Sequence, residues 1–190
     1  LKAPEAYGIS AEALAGKAGV PLTPSIPEQF SPADGRFTVS RRDGSFSVNT
    51  ARTCGAYREG GSYRSAVLSF DLEGAEAAVW ASSVDGQPLK SSSRIMLVHL
   101  PDVQNSGAEY DGRAREVLTA YGNTPHLVHN SRAHVRLMVD NPDRCKVYRL
   151  ALDGSRVAEV ATKVADKALV FTAAVDADPA SATLLYEIAK

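Results

Sequence analysis

The chain is poor in the residues that would mark several classes of protein. It has two cysteines, Cys54 and Cys145, one tryptophan and two methionines in 190 residues. Two thiols so far apart in sequence build no disulfide framework, and they pair only if the fold brings their Cα atoms within ~7 Å. The expectation is two unpaired core thiols. No sign of charge dominates either, because 21 Lys and Arg stand against 22 Asp and Glu. The basic footprint of a nucleic-acid binder is missing, so no nucleic-acid partner is expected. Long hydrophobic runs are also missing: stretches such as 168–175 fall far short of the ~20 residues of a membrane-spanning helix, and no membrane span is expected. The chain starts at Leu1 with neither a methionine nor a basic-then-apolar leader. It therefore reads as a fragment from which a signal peptide or a preceding domain has been removed. Catalytic signatures are absent as well: there is no Gly-x-Ser-x-Gly elbow, phosphate-binding glycine loop, His-Glu-x-x-His or Cys-x-x-Cys.

What is present is the composition of a self-folding domain, 44% hydrophobic and 23% charged. A chain of this size buries roughly 70% of its unfolded surface in a single core. Residues 1–35 differ from the rest. Ser10 is placed to cap a short helix through Ala11, Glu12, Ala13 and Leu14, with Gly16 or Gly19 to end it and Pro21 to forbid more. Pro24, Pro27 and Pro32 then mark an extended linker, so 1–35 reads as a connector and 36–190 as the domain proper.

From Arg36 onward the punctuation is that of an all-β protein. Asp43-Gly44, Asp85-Gly86 and Asp153-Gly154 separate short apolar runs, as tight turns with positive φ require. In 132–139, one face takes Ala133, Val135, Leu137 and Val139 while the other takes the charged side chains, the period of a half-buried strand. Similar short strands are expected at 37–39, 45–48, 65–70, 77–84, 94–100, 146–152, 156–162, 168–174 and 182–188. Residues 113–121 fit a helical face as well as an irregular strand, and the strand is the reading taken. Many short strands without βα alternation imply an antiparallel β-sandwich, jelly-roll or Ig-like, behind the short N-terminal helix and linker.

Candidate chemistry is sparse. His126, His129 and His134 are metal-ligand types, but with His134 on the outer face of its strand and the other two in a loop after Pro125, their spacing does not make them converge. Asp140, Asn141 and Asp143, and likewise Asp176 and Asp178, flank prolines where turns are needed anyway. His99 and Asp102 with Ser91, Ser92 and Ser93 match a hydrolase triad by residue type alone, and Asp102, Glu109 and Asp111 match a glycosidase carboxylate pair no better. No catalytic residue, metal ligand or cofactor is assigned. Aromatic side chains remain, because sugar rings stack on exposed Trp and Tyr faces. Trp80, among small neighbours, is read first as filling a hole between sheets and second as a sugar platform. Tyr57, Tyr63, Tyr110 and Tyr121 lie near turns and are the better candidates for an exposed carbohydrate-binding patch, with edge packing as their alternative.

Three segments together carry a resemblance: 46–55 (Phe-Ser-Val-Asn-Thr-Ala-Arg-Thr-Cys-Gly), 77–89 (Ala-Ala-Val-Trp-Ala-Ser-Ser-Val-Asp-Gly-Gln-Pro-Leu) and 92–100 (Ser-Ser-Arg-Ile-Met-Leu-Val-His-Leu). With 102–107, 122–128, 146–150 with 153–156, and 185–188 following in order, residues 36–188 resemble the C-terminal β-sandwich region of bacterial glycoside hydrolase-like proteins. In those proteins the region follows a catalytic (β/α)₈ barrel. Ala51 departs from the pattern, which has proline there and a stiffer turn. The resemblance implies an accessory domain of a secreted, periplasmic or cell-surface carbohydrate-active enzyme. Its partner would be the barrel of the same parent chain, with polysaccharide as a second partner. The acid and nucleophile would lie in the barrel, which needs ~250 residues of alternating strand and helix, so no catalytic position transfers. An autonomous carbohydrate-binding module and a small hydrolase around His99 and Asp102 stand as alternatives.

Overall fold

The computed structural model describes residues 29–30, 36–112, 115, 117–175 and 182–190. Among them the protein is all-β and every strand pairing is antiparallel; the one helical element is a 3-10 turn at Pro142–Arg144. The short helix expected after Ser10 lies outside the described residues.

The strands are β1 (Gln29–Phe30), β2 (Phe37–Ser40), β3 (Ser45–Asn49), β4 (Thr53–Arg58), β5 (Gly61–Arg64), β6 (Leu68–Gly74), β7 (Ala77–Ser83), β8 (Arg94–Pro101), β9 (Val103–Ser106), β10 (Glu109–Asp111), β11 (Val117–Ala120), β12 (Asn123–Val128), β13 (Ser131–Leu137), β14 (Lys146–Leu150), β15 (Arg156–Val160), β16 (Lys163–Ala165), β17 (Ala168–Val175) and β18 (Leu185–Ala189). Nine of them form a large sheet in the order β1-β2-β3-β4-β7-β8-β18-β14-β15, and five form a small sheet, β16-β17-β13-β6-β5. The remaining four make two nested ladders, β9 with β12 and β10 with β11, which together form an arm between β8 and β13. The sheet begins earlier than the expected boundary at residue 36, since β1 pairs with β2 through Gln29 opposite Ser40 and Phe30 opposite Val39.

The turn residues act as anticipated: Gly44 between β2 and β3 and Gly154 between β14 and β15 take φ of 54° and 87°, a region costly for residues with a Cβ. Two strands start later than the pattern suggests. Ser65 Oγ accepts the amide hydrogens of Val67 and Leu68, so the chain turns before β6 rather than extending from 65. Thr183 Oγ1 likewise accepts from Leu185 N while donating to Leu150 O at 2.6 Å, which delays β18 to 185.

The large and the small sheet each bury one face in a shared cluster. The large sheet contributes Cys54, Ala56, Val79, Ala81, Ile95, Leu97, Val147, Tyr186 and Ile188; the small sheet contributes Leu68, Phe70, Ala133, Val135, Leu137, Leu169, Phe171 and Ala173. Leu89, from the loop between β7 and β8, is fully buried in the same cluster. The period-two rule therefore settles the opposite faces. On the small sheet that face is polar: Ser69, Asp71 and Glu73 of β6 stand beside Arg132, His134 and Arg136 of β13. On the large sheet it is largely apolar, carrying Val39, Phe46, Tyr57, Trp80, Val98 and Leu100.

Candidate functional site

The residues singled out from sequence fall into three separate places. Tyr57 and Trp80 lie on the outer face of the large sheet. In β7 the core side is taken by Ala77, Val79 and Ala81, so Trp80 is on the other side and does not fill a hole between the sheets, contrary to the first expectation for it. Val79 and Ala81 join Phe70, Leu68, Leu97 and Tyr186 in the buried cluster. Trp80 is half-buried because its ring lies over Gly55, its cross-strand partner, and leans on Phe46 at 5.8 Å with a 55° tilt. A Cβ on Gly55 would come within 2.6 Å of Trp80 Cε3 and 2.7 Å of its Cα, so glycine at 55 is what seats the indole. Tyr57 is opposite Phe46 on β3 and Ala78 on β7, and partial burial raises its phenol pKa above the usual range.

Tyr63 turns inward. Its ring lies 5.3 Å from Phe70 and its hydroxyl is 3.5 Å from Cys54 Sγ, with burial the main cause of a raised pKa. Cys54 is also 3.1 Å from Ser65 Oγ. Its thiol and that of Cys145 are buried and free.

Tyr110 and Tyr121 are on the arm. Tyr110 is capped by the Arg115 guanidinium, 4.7 Å from the ring centroid, while Arg115 also pairs with Asp102 and donates to Gln104 Oε1 at 3.1 Å. Tyr121 is 79% exposed, and its carbonyl accepts from Asn105 Nδ2 at 2.8 Å. The five aromatics thus supply one pair on a sheet face, one inward ring and one pair on the arm, rather than one patch.

The groups resembling a hydrolase triad are drawn apart. Ser92 and Ser93 donate to Asp85, which accepts from the Ser83, Ser92 and Ser93 hydroxyls and from the amides of Gln87 and Ser93. Those donors hold the Asp85 carboxyl well below its usual pKa, the Ser93 hydroxyl first among them. Asp102 is taken by Arg115. His99 points into the core from β8, fully buried, with Nε2 3.1 Å from Ser131 Oγ and Nδ1 without a hydrogen-bond partner. Burial lowers its pKa to about 4, so it is neutral at pH 7.

The histidines are also dispersed. His126 is a β12 residue rather than a loop residue, 2.7 Å from Asn105 Oδ1, and His134 faces outward beside Glu73 and Thr172. No group of three or more metal-ligand side chains occurs among the described residues. Asp176 and Asp178 lie outside them. Sequence reading missed Glu187, a residue 4% exposed although its side chain projects to the outer face. Arg156 Nε and Arg94 Nε each donate to it at 2.5 Å, and these bonds, with Arg156 the larger cause, lower its pKa against the opposing effect of burial. Arg156 in turn covers the Tyr148 ring at 4.1 Å. A Glu between apolar neighbours in Leu-Tyr-Glu-Ile signals a buried partner, but which arginines reach it depends on strand order. An apolar recess of about 420 Å³ lies between β12 and the β14–β15 turn, with Leu127, Leu150, Leu152 and Thr183 among its walls.

The class defined by these features is an all-β antiparallel protein with a polar outer face on one sheet and an apolar one on the other. No family model matches the chain, and comparisons with curated proteins and with solved structures found no match. No helix among the described residues is long and apolar enough to cross a membrane.

Proposed function

We propose that the two sheets form a β-sandwich acting as a non-catalytic accessory domain of a secreted or cell-surface carbohydrate-active enzyme. In this reading it packs on and supports a catalytic barrel belonging to the same parent chain. The observation that carries the reading is the asymmetry of the two outer faces. A free-standing domain exposes polar residues on both sides, whereas a contiguous apolar face marks a contact surface. Here Phe46, Tyr57, Trp80 and Leu100 share one face, and the ordered resemblance over 36–188 names the kind of neighbour. The separate partners of His99, Asp102 and Ser92 count against a hydrolase site built on those three residues.

The second reading, a carbohydrate-binding module, draws on Tyr110 and the exposed Tyr121, flanked on the arm by Asn105, Gln104 and Arg115. Affinity electrophoresis of the chain through gels holding plant and mucin polysaccharides separates the two. The accessory role predicts unretarded migration on every glycan. Retardation that disappears in well-folded Tyr110→Ala or Trp80→Ala variants would replace it with the binding module.

A further inference from the structure

Glu187 stands at the border of the apolar face. One row of that face runs from Val48 through Gly55, Trp80 and Val98 to Leu185, each the cross-strand neighbour of the next. The next outward residue of β18 is Glu187, flanked by Met96 on β8 and Tyr148 on β14. Two strand spacings of ~4.8 Å and one two-residue step of ~6.8 Å place it about 12 Å from Trp80 along the sheet. What a neighbour meets there is positive charge. The Glu187 side chain is 5% exposed while those of Arg94 and Arg156 are 59% and 49% exposed, so the cations face solvent and the carboxylate does not. Each guanidinium gives only its Nε–H to Glu187, one to either carboxylate oxygen, and among the described residues neither Nη pair has a hydrogen-bond partner. Two cations sharing one anion leave net positive charge with open donors. Arg156 is also held by the Tyr148 ring at 4.1 Å, so little side-chain freedom is left to lose on binding. Neighbouring acids do not cancel the charge: Glu159 pairs with Lys146 at 3.2 Å, and Asp85 is taken by its serine and amide donors.

Arginine beside an apolar centre is the anatomy of a protein contact, in which a desolvated core is ringed by polar groups. A sugar is the poorer fit, since Trp80 is half-buried and leans on Phe46, and the Tyr148 ring is covered by Arg156. We propose that Arg94 and Arg156, fixed by Glu187, receive the carboxylate of an Asp or Glu side chain on a protein surface whose apolar residues meet the Trp80 row. This rests on the accessory-domain reading and specifies the surface its partner presents: apolar, with an acid about 12 Å from the group over Trp80. The Nη hydrogens of the two guanidiniums donate to the incoming carboxylate as charge-assisted bonds.

The probe is the peptide acetyl-Phe-Ser-Leu-Ser-Glu-amide, whose Phe and Glu share one face of an extended chain about 13 Å apart, with its Glu→Gln counterpart as control. Each is titrated into the full chain and followed by nitrogen-15 NMR of the arginine Nε–H and Trp80 indole signals. The Arg94, Arg156 and Trp80 signals should move together and saturate, with the Glu peptide bound about three- to ten-fold more tightly than the Gln peptide. That difference should shrink as salt is raised. It should vanish in Arg94→Gln/Arg156→Gln/Glu187→Gln, whose fold is checked by circular dichroism; if that variant does not fold, the wild-type signals decide alone. Equal binding of the two peptides, unmoved Arg94 and Arg156 signals, or a difference that survives in the folded triple variant overturns the proposal. So does saturable movement with sodium glucuronate but not with the Glu peptide, which makes the pair a site for acidic sugars. Retardation on polysaccharide gels tests the accessory role without the peptide, so failure of one reading is told from failure of the other.

Discussion

His99 shows how one buried side chain sets a condition on the whole chain. Its ring joins the two sheets, Nε2 on β8 meeting Ser131 Oγ on β13, and Ser131 Oγ also donates to Ala75 O at 3.3 Å. Burial lowers the folded-state pKa to about 4 from 6.5, so the unfolded chain binds the proton more tightly. The contribution of His99 is complete above pH 6.5, is lost as pH falls from 6.5 to 4, and changes no further below that, a total on the order of 3 kcal/mol. Urea midpoints measured from pH 7 to pH 4 should therefore fall more steeply for the wild type than for His99→Leu. Parallel curves would show that His99 takes up its proton without strain. Gly55 is the second residue with a clear consequence. A methyl group there meets the backbone of Val79 and Trp80 as well as the indole, none of which is a flexible side-chain end. Gly55→Ala should cost about 1–3 kcal/mol, the usual range for overpacking, and shift Trp80 emission. A midpoint equal to wild type would mean that β4 and β7 separate freely.

At the scale of elements, the small sheet depends on β13, paired along its whole length with both β6 and β17. Leu137, fully buried at the register of Leu68 and Leu169, ties all three strands. Leu137→Ala should cost ~2–5 kcal/mol by lost transfer energy and the cavity left behind, read as a reduced denaturant midpoint with an unchanged slope. The arm differs in kind. Its ladders are short and two-stranded, with Val103, Val117, Leu127 and Tyr121 exposed, and they contribute nothing to the shared buried cluster. Native-state hydrogen exchange should show β9–β12 amides opening well before those of β7, β8 and β13, by sub-global fluctuation. Equal protection in the arm and in β13 would show that the two unfold as one unit. The recess beside β12 belongs to this same end of the molecule.

At the scale of the whole molecule, the two outer faces differ: one carries charged side chains and the other is largely apolar. Much of this was legible in the chain. Alternation in 132–139 gave β13 with the correct side inward, and the Asp-Gly pairs gave turns where positive φ is found. The sequence also determined the class, since short runs of period two separated by turn residues close only as antiparallel sheets. It did not reveal β4, because Cys54, Gly55 and Ala56 are all buried and no alternation shows; nor β9 and β12, whose polar residues pair locally without a core face. Trp80 is the most instructive of these. Sequence locates it on a strand among small residues, but which side of that strand faces the partner sheet depends on β4 and β8 lying on either side and on the small sheet covering Val79. Tertiary structure alone decided that, as it decided that Asp85 rather than His99 would hold the serines. Local pattern specifies the period of a strand, whereas the partner of each face comes from strand order, and strand order is a property of contacts distant in sequence.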